Sequence, residues 1–297
     1  MKIRLLNTDY AIFKFFLNNF SIQQQLQEQL SYLLIRSQLF KESSFHLSQK
    51  TLAVSRLSHY TPITYRCAIA MQLSNQLSLS PIEIAQQVFS VLKSQFNLDE
   101  QELSQSTLTM KLIYPGWLDF EVSDQALVLW LQSLGQQIFS KPNSPKIPRK
   151  TDNLFLIEYT YARCCSLLRL GKTEGLITFQ SKALSDLTLP WKAPDPIPWL
   201  KDTNQLRLTH LAALALINQV IITVDRSVNN PSATWNKLGT KLSKSILDFE
   251  RHCRIFGDLA RNDLQLSQAR LGLIAISQHL LKWLWYSNLG NFPRSQL

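Results

Sequence analysis

Cysteine is scarce in this sequence, with four in 297 residues: Cys67, Cys164, Cys165 and Cys253. No two form a C-x-x-C pair, and adjacent Cys164 and Cys165 are poorly placed as two ligands of one tetrahedral metal. No metal site is expected, and the thiols read as buried side chains of a reducing, cytoplasmic compartment. Glycine is also sparse, at eight residues, and nowhere forms a Gly-rich loop that cradles nucleotide phosphates. No cofactor is therefore expected. Long apolar runs are missing too. The longest, Leu211 to Val224, has about 14 residues and is interrupted by Asn218 and Gln219, short of the ~20 that cross a bilayer. Met1-Lys2-Ile3-Arg4 is followed by Asp9 and Lys14, which does not read as a signal peptide. The expectation is a chain without a membrane partner. The five histidines, His46, His59, His210, His252 and His279, stand apart. No Ser-His-Asp, Cys-His or paired-carboxylate arrangement is suggested.

Acidic residues are outnumbered, 21 against 31 basic, giving a formal net charge of +10 and a pI near 9.5. The excess is spread. Residues 1–150 carry 14 basic and 10 acidic side chains, and residues 151–297 carry 17 and 11. Such a balance favours polyanionic partners through counterion release, as a weak signal by itself.

What is present is helical periodicity. From Leu264 to Gly290, Leu271, Ile274, Leu281 and Leu284 recur at helical spacing, and Leu273, Ile276 and Leu280 widen the stripe. Gly290 falls where a left-handed cap belongs, and Pro293 follows. This predicts the central helix of a helical bundle. Earlier, Tyr10–Phe20 and Ser21–Phe40 read as helices, the second with Leu26, Leu30, Leu33 and Leu34 on its dry face. Thr64 to Leu77 also reads as a helix. Ser80-Pro81-Ile82-Glu83 is a capping box with proline at the first helical position. Thr107–Tyr114 and Trp117–Val122 alternate around Pro115-Gly116, a hairpin signature. Ser140–Lys150 carries Pro142, Pro145 and Pro148 with Lys141, Lys146, Arg149 and Lys150, which predicts a stiff basic linker. A helix is expected after Asn153, and a Pro-rich connection at Leu189–Pro198.

Several motifs resemble arginyl-tRNA synthetases. In the N-terminal half these are Tyr65-Arg66-Cys67-Ala68-Ile69-Ala70-Met71-Gln72-Leu73, Pro81-Ile82-Glu83-Ile84-Ala85 and Tyr114-Pro115-Gly116-Trp117-Leu118-Asp119-Phe120. In the C-terminal half they are Tyr159 to Arg169, Phe249 to Phe256, Gln268-Ala269-Arg270-Leu271 and the tail Asn288 to Arg294. The resemblance implies an α+β domain over residues 1–139 like that family's N-terminal domain. A linker follows at 140–152, then a DALR-type anticodon-binding helical bundle over 153–297, predominantly helical overall. The family's catalytic domain would lie where the linker stands. No His-x-Gly-His motif occurs, and Lys241-Leu242-Ser243-Lys244-Ser245 matches the family's other signature loop in the wrong place. The implied protein is non-catalytic and holds tRNA, plausibly tRNA-Arg, for a tRNA-modifying enzyme or the translation apparatus. A protein-interaction subunit that lost tRNA binding is the alternative, and an accessory part of an arginine–tRNA ligase acting in trans is a third.

Anticodon recognition asks for aromatic or arginine planes that stack on splayed bases beside cations for phosphates. On that ground the candidates are Tyr159, Tyr161, Arg163, Arg169, His252, Arg254, Trp283 and Arg294, with Lys146, Arg149 and Lys150 in the linker. Trp117 and Phe120 are candidates for the first domain. There Asp119 stands where the family has asparagine, and Glu121 adds another anion, so the elbow contact of that family is in question. Arg270 is expected to orient a helix through an internal ion pair rather than touch RNA.

Overall fold

The computed structural model describes residues 21–37, 52–96, 108–136, 154–179, 191–229 and 235–296. The expected helix at Tyr10–Phe20 and the linker at 140–150 lie outside these. The fold is α+β and then helical, and helices predominate. Contacts divide the chain into two units at Leu127/Val128.

In the first unit, helix α1 (Ile22–Ser37) precedes strands β1 (Val54–Arg56) and β2 (Ile63–Cys67). Helices α2 (Ile69–Leu77) and α3 (Pro81–Phe96) follow, and then the hairpin β3 (Leu108–Ile113) and β4 (Trp117–Val122). The antiparallel sheet runs β1-β2-β4-β3. Thr64 to Cys67 is strand, against the expected helix. Ile63, Tyr65 and Cys67 alternate onto the buried face, and only from Ile69 does burial adopt a helical period. The sheet's inner face, with Tyr65, Leu118 and Phe120, packs under helices that contribute Ile69, Leu73, Ile84, Val88 and Leu92. The capping box forms as expected, since Ser80 donates from N and Oγ to Glu83 Oε2 at 2.9 and 2.6 Å. At the hairpin turn, Gly116 has φ +153° and sits against α3, where an added Cβ would lie 2.6 Å from the Pro81 carbonyl oxygen. No other residue fits so close an approach at that dihedral.

Helix α4 (Asp124–Gln136) crosses the division between the units. In the second unit, α5 (Leu154–Thr173), α6 (Leu211–Asn229), α7 (Trp235–His252) and α9 (Leu264–Leu289) make a bundle, with a short α8 (Asp258–Asn262). From Trp191 the Pro-rich connection is not helical. It contributes β6 (Trp191–Ala193), which pairs with β5 (Thr178–Phe179), so the bundle carries a small antiparallel pair that the sequence did not suggest. The connection is anchored on α4, because Gln132 Oε1 accepts from Ile197 N at 3.2 Å and Trp199 Nε1 at 3.0 Å.

Helix α9 is central, packing against α5, α6, α7 and α8. It starts where Asp263 Oδ1 accepts from Leu266 N at 2.9 Å and ends at Gly290, φ 72°. Leu271, Leu273, Ile274, Ile276, Leu280, Leu281 and Leu284 are all buried. Each contributes about 1.5–3 kcal/mol by leaving water. Leu211–Val228 of α6 is long and apolar enough, by length and composition, to cross a membrane, although 56% of it is buried within the protein. Ala213, Leu216, Ile217, Val220, Ile221 and Val224 belong to the bundle core.

Candidate nucleic-acid interface

Helix α5 has two faces. Its inner face carries Ile157, Tyr161, Cys164, Cys165 and Leu168, all buried. Its outer face carries Phe155, Tyr159 and Arg163, four residues apart and therefore stacked one above another. Phe155 is 72% exposed and Tyr159 43%. Their rings stack with centroids 6.1 Å apart at 22°. Two parallel exposed rings make a platform of the kind single-stranded bases use. Phe155 escaped the sequence reading, although its spacing from Tyr159 was the available signal.

Arg163 stands next on this stripe but is engaged. Its Nε donates to Glu250 Oε1 of α7 at 2.7 Å. Helix α7 comes close because Gly239 faces Ile157, whose Cδ1 would lie 2.7 Å from an added Cβ. Tyr161 is 2% exposed. Burial, reinforced by Cys165, pushes its phenol well above the ordinary range. Its ring is part of the core, out of reach of a base. Arg169 is half-buried and holds the C-terminal segment, donating to the Ser295 carbonyl at 3.2 Å. Arg294 makes a bidentate pair with Glu158 of α5, 2.8 Å from Nε and 3.0 Å from Nη2. That guanidinium holds the Glu158 carboxyl below the usual carboxylate range. Phe292 stacks on Tyr286 at 4.7 Å, and Lys282 lies 5.0 Å from the Phe292 ring.

At the end of α7, His252 is exposed, its Nδ1 2.9 Å from the Asp248 carbonyl, and its ring is stacked with His210 at 6.3 Å. In the next residues Cys253 and Ile255 turn inward while Arg254 is exposed. Arg270 donates to the Arg254 carbonyl. It orients this turn through a backbone hydrogen bond, where an ion pair had been expected. Trp283 is half-buried. Lys241 to Ser245 lie in the middle of α7, with Leu242 and Ser243 fully buried. This segment is helix, not a loop. Lys146, Arg149 and Lys150 lie outside the described residues.

In the first unit, Phe120 is 4% exposed and belongs to the core. Trp117 is on the outer face of the sheet, with the Arg66 guanidinium 5.5 Å from its ring. Asp119 is directly across from Arg66 in the register. It accepts from Nε at 2.7 Å and Nη2 at 2.8 Å. Glu121 accepts from Lys111 at 2.6 Å. Both anions that the sequence left bare are therefore neutralised by cations on neighbouring strands.

All four cysteines are free and buried. Among the described residues, no group of three or more His, Cys, Asp or Glu could hold a metal ion.

No family profile matches the chain, and no solved structure matches it. A stretch of 135 residues, 44% of the chain, is 30% identical to part of the arginine–tRNA ligase of Gloeobacter violaceus. That stretch spans 20% of the relative's own length. The chain thus contains a region related to arginyl-tRNA synthetases.

Proposed function

We propose that this chain is a non-catalytic, cytoplasmic tRNA-binding protein that receives the anticodon region of tRNA, with tRNA-Arg as the species, on its helical bundle. The observation that carries the reading is the stacked, exposed Phe155–Tyr159 pair on α5, in a chain with a region similar to an arginine–tRNA ligase. Unstacked anticodon bases pack on such rings, and each base stacked is worth about 1–3 kcal/mol. The reading assigns the chain no aminoacylation step. Lys241–Ser245 is built into a helix with its centre buried, and no Gly-rich phosphate loop occurs in the sequence.

The test is retention of total tRNA by the purified chain at about 50 mM salt, with sequencing of the bound fraction. Arginine tRNAs should be enriched, and Phe155→Ala with Tyr159→Ala should weaken binding by about tenfold or more. Failure to retain any tRNA at low salt would sink the reading.

One observation favours a protein partner for the first unit instead. On the outer face of its sheet the charges are matched, Arg66 with Asp119 and Lys111 with Glu121. A neutral, mixed face around Trp117 suits a protein better than a phosphate backbone.

A further inference from the structure

Many of the described cations are already engaged: Arg66, Lys111, Arg163, Arg207, Arg261 and Arg294 each pair with a carboxylate. Helix α7 is different. Lys237, Lys241, Lys244 and Arg251 are all exposed on it, and none has an ion-pair partner among the described residues. At 3.6 residues per turn these four fall within about 80° of arc. Its buried residues, Leu238, Leu242, Ile246 and Phe249, point the opposite way. The stripe from Lys237 to Arg251 runs about 21 Å along the helix axis, and exposed Arg254 follows just beyond. One acid, Asp248, lies on this face, and it contacts His252. Two of the lysines belong to the Lys-Leu-Ser-Lys-Ser run, which otherwise has no use in a helix.

We propose that the outer face of α7 is a phosphate track, on which Lys237, Lys241, Lys244 and Arg251 follow the backbone of a bound RNA. The proposal rests on the tRNA-binding reading and adds a second surface to it. Two observations favour RNA over an acidic protein or an anionic membrane. Lysines set one turn apart act as independent point charges, which suits successive phosphates more than planar bidentate carboxylates. The apolar residues of α7 are committed to the bundle core, so the helix has no dry face to sink into lipid.

The experiment titrates full-length protein with total tRNA from about 50 to 200 mM salt, comparing wild type with Lys237→Ala/Lys241→Ala/Lys244→Ala. Each phosphate contact contributes about 0.7–0.9 to the log–log salt slope. The triple variant should therefore flatten the slope by about 2 or more and lose at least about tenfold affinity at the lower salt. The corresponding triple arginine variant should keep the wild-type slope. Phe155→Ala/Tyr159→Ala should weaken binding without changing the slope. Matching circular-dichroism melts establish that the variants fold. An unchanged slope in the alanine variant, or an equal loss in the arginine variant, overturns the track while leaving tRNA binding itself intact. Lysine-dependent capture of phosphatidylserine vesicles, with tRNA affinity unaffected by the alanines, overturns it in favour of lipid. No tRNA binding by wild type removes the underlying reading as well.

Discussion

Replacing Asp119 is the sharpest probe of the sheet in the first unit. The Asp119 side chain is 9% exposed and that of Arg66 29%, and two hydrogen bonds of 2.7 and 2.8 Å join them. Two unit charges about 4 Å apart gain roughly 4 kcal/mol at an effective dielectric of about 20. Withdrawing the carboxylate from water cancels much of that. Exposed pairs contribute about 0.2–1 kcal/mol, and breaking a fully buried one costs about 3–5. A part-buried bidentate pair falls between. Asparagine keeps one acceptor oxygen for the guanidinium, so Asp119→Asn should cost about 1–2 kcal/mol. Alanine leaves the guanidinium no acceptor and should cost about 2–3. The assay is hydrogen exchange read by mass spectrometry over residues 63–67 and 117–122, since a chain of two units need not unfold in one step. Protection there should fall about 5–30-fold for Asp119→Asn, at 1.36 kcal/mol per tenfold change. Adding Arg66→Met to Asp119→Ala should recover part of the loss, because no unpaired charge remains. Wild-type protection in Asp119→Ala would refute this account of the pair.

Gly116→Ala should destabilise the same unit by about 3 kcal/mol, from the clash with Pro81 and the unfavourable dihedral, and the same exchange experiment reads it out. Burial pushes the Cys67 thiol up to about 12 and raises Cys164, Cys165 and Cys253 as well. Iodoacetamide at pH 8 should therefore label none of the four until denaturant is added, and rapid native labelling would contradict the packing. The Glu158 carboxyl is held below its ordinary 4.5 by Arg294. A depressed folded value means the stabilisation is complete above that pH and is lost as pH falls through the lowered value. The pair's contribution to holding segment 291–296 should then be lost only under acid conditions, detectable as modestly faster exchange in those residues, and Glu158→Gln should give the same modest increase at neutral pH.

Helix α9 was legible because its apolar residues recur at 3.6 and it ends at Gly290. The strand β2 was not. Its alternation, Ile63, Tyr65 and Cys67, runs straight into Ile69 and Ala70, so the two periods merge into one apolar stretch. Strand β1 is three residues long, too short to show any period. The interface was harder to read, for a different reason. Arg163 and Arg294 look like free cations in sequence, yet their carboxylates lie 87 and 136 residues away. Tyr161 and Tyr159 are the same residue type two positions apart. Only the direction of α5 relative to α9 decides that one faces Gln278 and the other solvent. Lys241 and Lys244 of α7 were visible, but as parts of a signature loop.

Helix α9 has almost no free face, and this bears on how the bundle is made. During synthesis α5, α6 and α7 leave the ribosome before it, each with an apolar side whose partner does not yet exist. Domains fold as units, so this one stays unclosed until residues 264–289 have emerged. Its earlier helices must remain soluble in the meantime. Once residue 251 is out, the ion pair of Arg163 with Glu250 and the cations of α7 are available to them. A ribosome stalled before residue 264 should therefore carry a chain prone to chaperone capture, and one released just after residue 290 should not.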